Sequence, residues 1–353
     1  MNNAYYCTPN QAKKYVELCI QSGLVANLIG SPGIGKSSII KQIAEEYSMK
    51  VIDLRLSMCD PTDIQGLPFL VGDKAEWTPF KDFPTEETPI PKGYTGFILF
   101  LDEFNAAPKS VQAAAYKLVL DRMVGMKKLH PNCAIVTAGN LSSDKAIVNN
   151  LSTPMKSRLV HIQMEVNFDN WLTDVAIKNQ YDEKIIAFLN MFPNKLMDFD
   201  PDRDDLTFAC PRSWEFANRL LQNIEGKLTN THLALFAGTL GAGVGTEFVH
   251  FTKVYEYLPK FEDILNNPNA IDVPDEIGTQ WAIVTSLSYK ADNKNIDKIL
   301  TYVKKFDKSF QILFTKMVLI NKPQLISSPA VRGYISSMAT SMNIDLVEPE
   351  EDE

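Results

Sequence analysis

The sequence predicts an α/β protein, a parallel sheet dressed with helices, followed by a region that is helical throughout. Three observations carry this. Apolar runs of strand length alternate with amphipathic helical patterns between Val25 and Met164. One of these runs, VANLIG, passes straight into GSPGIGKSS and then into a helical pattern, IIKQIAEEY. After Glu165 the strand pattern stops, and FDNWLTDVAIKNQ, EKIIAFLNMF and SWEFANRLLQNI all read as helices. The expected division is an α/β core over 1–165, a helical segment over 166–227, a further helical region over 228–345 and an acidic tail over 346–353.

The first helix is announced by Thr8-Pro9-Asn10-Gln11, a capping box with proline at the first helical position. It should place Tyr15, Leu18 and Cys19 on one face and end at Gly23. Val25 to Gly30 is a short apolar strand, and Val51 to Ser57 another by its β-branched content and alternation. Between Met58 and Tyr94 stand Pro61, Pro68, Pro79, Pro84, Pro89 and Pro91 with Gly66, Gly72 and Gly93. Loops are expected there, with a hairpin in LPFLVGDKAEWTPF turning at Gly72-Asp73. Then come a strand from Phe97, a helix from Pro108 to about Arg122, the strand CAIVTAGN and a last strand from Leu159 to Met164.

Composition narrows the function. The chain has 353 residues, 45% hydrophobic and 22% charged, a globular profile. Its longest apolar run, around Phe97 to Leu101, is far short of the ~20 residues that cross a bilayer, and the N-terminus shows no signal-peptide core. The five cysteines, Cys7, Cys19, Cys59, Cys133 and Cys210, are scattered without a CxxC pair. That pattern speaks for reduced thiols in the cytoplasm and against structural zinc. A net charge of −8 argues against a protein that coats nucleic acid.

The chemistry concentrates in two places. Gly30, Ser31, Pro32, Gly33, Ile34, Gly35, Lys36, Ser37 and Ser38 contain G-x-x-x-x-G-K-[ST], set between a strand and a helix as a phosphate cradle requires. Lys36 would reach the β- and γ-phosphates of a nucleotide, and the Ser37 hydroxyl would ligate Mg²⁺. FILFLDEFNAAP ends a buried strand in two adjacent carboxylates, which repel each other unless something positive sits nearby. A strand beside the phosphate loop would supply it, with Asp102 holding the metal and Glu103 acting as general base on water. The second acid favours hydrolysis over phosphoryl transfer to a bound hydroxyl. GTLGAGVG, although rich in glycine, lacks the Lys-Ser and the preceding strand, so it reads as close helix packing or a helix break.

Phosphate loop, Asp-Glu strand and the strand AIVTAGN ending in Asn140 together resemble the AAA+ ATPases. That resemblance implies that Asn140 is the sensor that orients the lytic water beside Glu103. It implies that Arg158, in STPMKSRLVHIQM, is an arginine finger offered to a neighbouring subunit. It implies that Arg212, in CPRSWE, is a second sensor carried by a helical lid, the 166–227 segment. DPTDIQGLP, DEFNAAPKSVQAA and DRMVG…AGN…SRL are further similar to the MoxR-type branch, with its relatives RavA, the McrB GTPases and midasin modules. The hairpin at LPFLVGDKAEWTPF would then be that branch's insert, which tends to face the pore or substrate. Ala106 departs from the pattern, since relatives often read DEINRAP with arginine there.

The reading is thus a Mg²⁺-dependent, ATP-hydrolysing, chaperone-like remodelling ATPase that assembles as a hexameric ring and acts on a protein. A von Willebrand A partner would be a separate chain. The alternatives are a McrB-like nucleic-acid motor or restriction-type subunit, and a slow nucleotide-switched scaffold. Asp53 and Arg55 carry no assigned role.

Overall fold

The computed structural model describes residues 6–144 and 149–341. The chain forms two compact units, Met1–Asn170 with Phe199–Asp204, and Trp171–Asp198 with Asp205–Glu353.

The first unit contains, in order, β1 (Tyr6–Cys7), α1 (Pro9–Gln21), β2 (Val25–Ile29), α2 (Lys36–Glu46), β3 (Met49–Arg55), α3 (Pro61–Gln65), β4 (Leu67–Val71) and β5 (Lys74–Thr78). It continues with β6 (Gly96–Asp102), α4 (Lys109–Asp121), β7 (Met123–Val124), β8 (Lys127–Lys128), β9 (Cys133–Gly139), α5 (Thr153–Lys156), β10 (Leu159–Met164) and α6 (Phe168–Trp171), whose last residue falls in the second unit. Six strands make one parallel sheet in the order β1-β10-β2-β9-β6-β3. Burial follows that order. β6 is buried along almost its whole length, as a covered parallel strand should be, whereas edge strand β3 alternates.

The Thr8 capping box forms as expected. Thr8 Oγ1 accepts from the Gln11 N–H, and the Thr8 N–H donates to Gln11 Oε1 at 3.0 Å. The buried face of α1 is different from the expected one. Ala12, Val16 and Cys19 are inward, while Tyr15 and Leu18 stay 46% and 60% exposed. An i, i+4, i+7 stripe of small side chains lets the helix sit close to its neighbours, and the larger residues are left outside. The hairpin β4–β5 turns at Gly72-Asp73, pairing Val71 with Lys74. The strand expected over Val51 to Ser57 instead runs Met49–Arg55, and Ser57 lies in a 3₁₀ turn, Leu56–Met58.

β6, with its carboxylates, is not beside β2: β9 lies between them. The register still brings the ends together. Ile29 is level with Gly139, Leu101 with Thr137, and Asp102 with Arg55. Gly30, Asp102 and Asn140 therefore leave the sheet along one edge, the carboxyl edge where ligands of open α/β sheets bind.

The second unit is helical: α7 (Glu183–Met191), α8 (Pro211–Asn223), α9 (Leu233–Leu240), α10 (Ala242–Thr252), α11 (Phe261–Asn266), α12 (Ile277–Lys290), α13 (Ile296–Val303), α14 (Lys308–Asn321) and α15 (Pro329–Ser341). The π-helical turn Leu172–Ile177 precedes them. Phe188, Trp214, Phe236 and Phe248 are fully buried, and Phe188 meets Trp214 and Phe248 at centroid distances of 5.6 and 5.4 Å. The glycine-rich GTLGAGVG does two structural jobs. Gly241, at φ +89°, breaks the chain between α9 and α10. Gly245 packs so closely that a Cβ would stand 2.3 Å from the Phe236 carbonyl oxygen. Among the described residues no helix is long and apolar enough to cross a membrane.

Candidate functional site

The loop from Gly30 to Gly35 is shaped by its glycines. A Cβ on Gly30 would fall 2.4 Å from Ile34 Cδ1 and 2.7 Å from the Met164 carbonyl oxygen. Gly33 and Gly35 take φ values of +78° and +100°. Gly35 caps α2 without any side-chain hydrogen bond, so no side chain covers the N-terminal end of the helix and the positive end of its dipole. Lys36 is buried, and its ammonium donates to the carbonyls of Gly30 at 2.6 Å and Ser31 at 3.0 Å, and to Asn140 Oδ1 at 3.0 Å. A cation, a helix N-terminus and a glycine turn thus share one small space, which suits a polyphosphate. Ser38 is exposed.

The two carboxylates sit opposite this loop, and hydroxyls hold them. Ser37 Oγ donates to Asp102 Oδ2 at 3.2 Å, and Asp102 Oδ1 accepts from the Glu103 N–H at 2.8 Å. Glu103 Oε2 accepts from the hydroxyl of Ser57. Glu103 itself adopts φ +55°, a left-handed conformation that a non-glycine residue holds only where its surroundings impose it. Asp53 on β3 registers the same negative charge. Although exposed overall, its carboxyl has its pKa raised by desolvation and by Asp102, with a smaller push from Glu103, against the lowering effect of Arg55 and Lys41.

Asn140 closes the group at the end of β9. Its side chain faces Lys36, and its backbone is bound on both sides by Asn105. The Asn140 N–H donates to Asn105 Oδ1 at 3.0 Å, and Asn105 Nδ2 donates to the Asn140 carbonyl at 2.7 Å. Lys36, Ser37, Asp102, Glu103 and Asn140 are therefore brought together. Arg158 is exposed and folded onto α4, donating to Tyr116 Oη at 2.9 Å and to the Pro154 carbonyl at 3.2 Å, with its guanidinium 5.8 Å from the Tyr116 ring centre. Arg212 is exposed in the first turn of α8, in the helical unit. The hairpin β4–β5 leaves Phe69 and Leu70 55% and 81% exposed. No sequence motif assigns a role to Ser57, Asn105 or Tyr116, although Asn105 lies within DEFNAAP, and each acts on a partner at least 35 residues away along the chain.

The family model described as the ATPase family associated with various cellular activities (AAA) matches residues 26–164, from within β2 to the end of β10. That segment is an AAA ATPase domain. The chain is accordingly a nucleotide-binding, ATP-hydrolysing enzyme. No curated protein matches the sequence. Among solved structures, the RuvB Holliday junction branch migration motor of Thermotoga maritima aligns at 16% identity and TM-score 0.30, over 95% of this chain and 82% of its own. NtrX of Brucella abortus in complex with ADP aligns at 15% and 0.34, over 95% and 65% respectively. A candidate ATPase of Cytophaga hutchinsonii aligns at 10% and 0.33, over 96% and 90%.

The donor set at Ser37 and Asp102 fits a magnesium ion. Two hard oxygens converge to 3.2 Å beside a phosphate cradle, and Mg²⁺ is commonly held by one or two protein oxygens together with substrate phosphates. Among the described residues no three His, Cys, Asp or Glu side chains gather to hold an ion alone.

Proposed function

We propose that this protein is a remodelling ATPase of the MoxR type, which works as a ring and spends ATP on changing the shape of a protein partner. The observation that carries the catalytic half is the convergence of Lys36, Ser37, Asp102, Glu103 and Asn140 on one sheet edge. The remodelling half is supported by the hairpin β4–β5, which stands between β3 and β6 in sequence and offers Phe69 and Leu70 to the outside.

In this reading the loop Gly30–Ser38 cradles the phosphates through its N–H groups, and Lys36 moves from its carbonyl partners onto the β- and γ-phosphates. Ser37 and Asp102 would hold magnesium, which supplies charge neutralisation at the transferring phosphoryl group. Glu103 accepts the proton of the attacking water, and Asn140 orients that water through its carboxamide. Ser57 fixes the Glu103 carboxylate meanwhile. Arg158 leaves Tyr116 to stabilise the γ-phosphate bound by the next subunit, so turnover depends on assembly. Arg212 acts from a lid formed by residues 166–227, which reports the nucleotide state as a rigid movement. Residues 228–341 follow that lid as a further helical region, and the rest of the expected 228–345 region and the acidic tail over 346–353 lie outside the described residues. A hexamer, and a separate von Willebrand A partner for the remodelled protein, complete the proposal.

The test is ATP turnover per subunit over a wide range of protein concentration with magnesium present. Specific activity that climbs with concentration is the expected result. A flat, non-zero specific activity would mean that each chain is catalytically complete alone, and the ring would have to be abandoned.

A further inference from the structure

We propose that Asn105 is a positioning residue for ATP hydrolysis: its side-chain amide clamps the backbone of Asn140 and thereby sets the carboxamide that faces Lys36. The inference rests on the reading of Asn140 as the group that orients the attacking water.

The clamp uses both ends of one carboxamide on both backbone groups of one residue. Oδ1 accepts from the Asn140 N–H at 3.0 Å while Nδ2 donates to the Asn140 carbonyl at 2.7 Å. Such a pair imitates a strand ladder just where β9 has ended and its own ladder can no longer hold the chain. Gly139 shows how closely the amide is seated. A Cβ on Gly139 would lie 2.5 Å from Asn105 Oδ1 and 2.8 Å from its Cγ. Gly139 is not among the glycines with positive φ, so backbone conformation does not demand glycine there. The clamp does.

Asn105 is itself anchored to the turn that bears Glu103. The N–H groups of Ala106 and Ala107 donate to the Glu103 carbonyl at 2.9 and 3.2 Å, and the Phe104 N–H donates to the Ala138 carbonyl at 2.8 Å. On the far side the Asn149 N–H donates to the Asn105 carbonyl at 2.6 Å, and Asn149 Nδ2 to the Ala107 carbonyl at 2.9 Å. Glu103 and Asn140 end different strands, and Asn105 makes them one rigid group. Two groups that act on the same water gain from this, because a displacement near 1 Å can cost about a hundredfold in rate.

The experiment compares full-length variants for kcat, and for affinity towards a non-hydrolysable ATP analogue. Asn105→Asp keeps the size and the acceptor but sets a second oxygen against the Asn140 carbonyl, and Asn105→Ala removes the clamp. Each should lower kcat by about tenfold or more and leave analogue affinity within about threefold, a split that a general loss of structure would not give. Gly139→Ala should push the amide aside and show the same split. Combining Gly139→Ala with Asn105→Ala removes the clash without restoring the bonds, so kcat should stay low. Recovery to the wild-type rate in that double variant would overturn the proposal and mark the contact as steric. Asn140→Ala, measured alongside, separates the two claims. If it turns over normally, the reading of Asn140 falls and the clamp's role with it. If it is inactive while both Asn105 variants keep the wild-type kcat, the clamp alone is overturned.

Discussion

Gly139 in the α/β unit and Gly245 in the helical unit are both pressed against a neighbour closer than any side chain allows, yet they serve different ends. Gly245 lets α10 approach the Phe236 carbonyl in a core built from Phe188, Trp214 and Phe248. Gly139 makes room for a polar side chain, the Asn105 amide, that steers a residue of the site. The contrast is general between the units. A parallel sheet delivers the carboxyl ends of all its strands to one edge, so Gly30, Asp102 and Asn140 meet although they are far apart in sequence. A helical core instead places its aromatic residues face to edge and gains stability from contact and burial. Substitutions at the carboxyl edge of the sheet should therefore change rates, and substitutions in the aromatic core of the second unit should change stability.

The comparison can be broken at several points. Arg158→Ala should show the largest effect, a loss of ~10³-fold or more in turnover with nucleotide affinity kept, the signature of an arginine acting on a neighbour's transition state. Equal loss of affinity, measured by nucleotide titration, would place Arg158 in its own subunit's site. Glu103→Gln should cost about 10²–10⁴-fold in kcat and still bind ATP, trapping an assembled state visible by sizing. Phe188→Ala belongs to the other unit. Removing a fully buried ring should lower unfolding stability by about 3–5 kcal/mol, read by denaturant titration at low temperature, with nucleotide affinity intact wherever the protein is folded. Asp53→Asn is the smallest. The folded state raises the Asp53 pKa above its ordinary 3.8, so the fold holds that proton more tightly than the unfolded chain does. Stability from this group is greatest below 3.8 and falls as pH rises through the raised value, which leaves a penalty at neutral pH. Replacing the carboxylate should remove it, for a gain below about 1 kcal/mol because solvent screens an exposed group. A loss of stability at neutral pH, confined to this variant, would contradict the crowding of Asp53 by Asp102.

What could be read in the sequence followed from contiguity. The Gly30 to Ser38 loop, the Asp102-Glu103 pair and the Gly72-Asp73 hairpin are each written in a short run of residues, and each formed where it was expected. The contacts of Ser57, Asn105 and Tyr116 are not legible in the sequence, even for Asn105 within DEFNAAP, because their partners lie 46, 35 and 42 residues away and only the fold joins them. The two-residue strands β1, β7 and β8 are too short to show a period. The buried face of α1 follows side-chain size as well as apolar character, which is why Tyr15 and Leu18 lie outside it. The order of the strands, with β9 between β2 and β6, is set by crossovers that local pattern does not encode.

The central claim, an ATPase site completed by Arg158 of a neighbouring subunit, is tested most directly by mixing two inactive variants. Glu103→Gln supplies an intact arginine, and Arg158→Ala supplies an intact Glu103. If the arginine acts across an interface, mixed assemblies contain some sites with both groups, and turnover should reappear on mixing to a substantial fraction of the wild-type rate. If the mixture stays as inactive as its components, while both variants are shown to co-assemble, Arg158 does not complete a neighbour's site and the account fails at its centre.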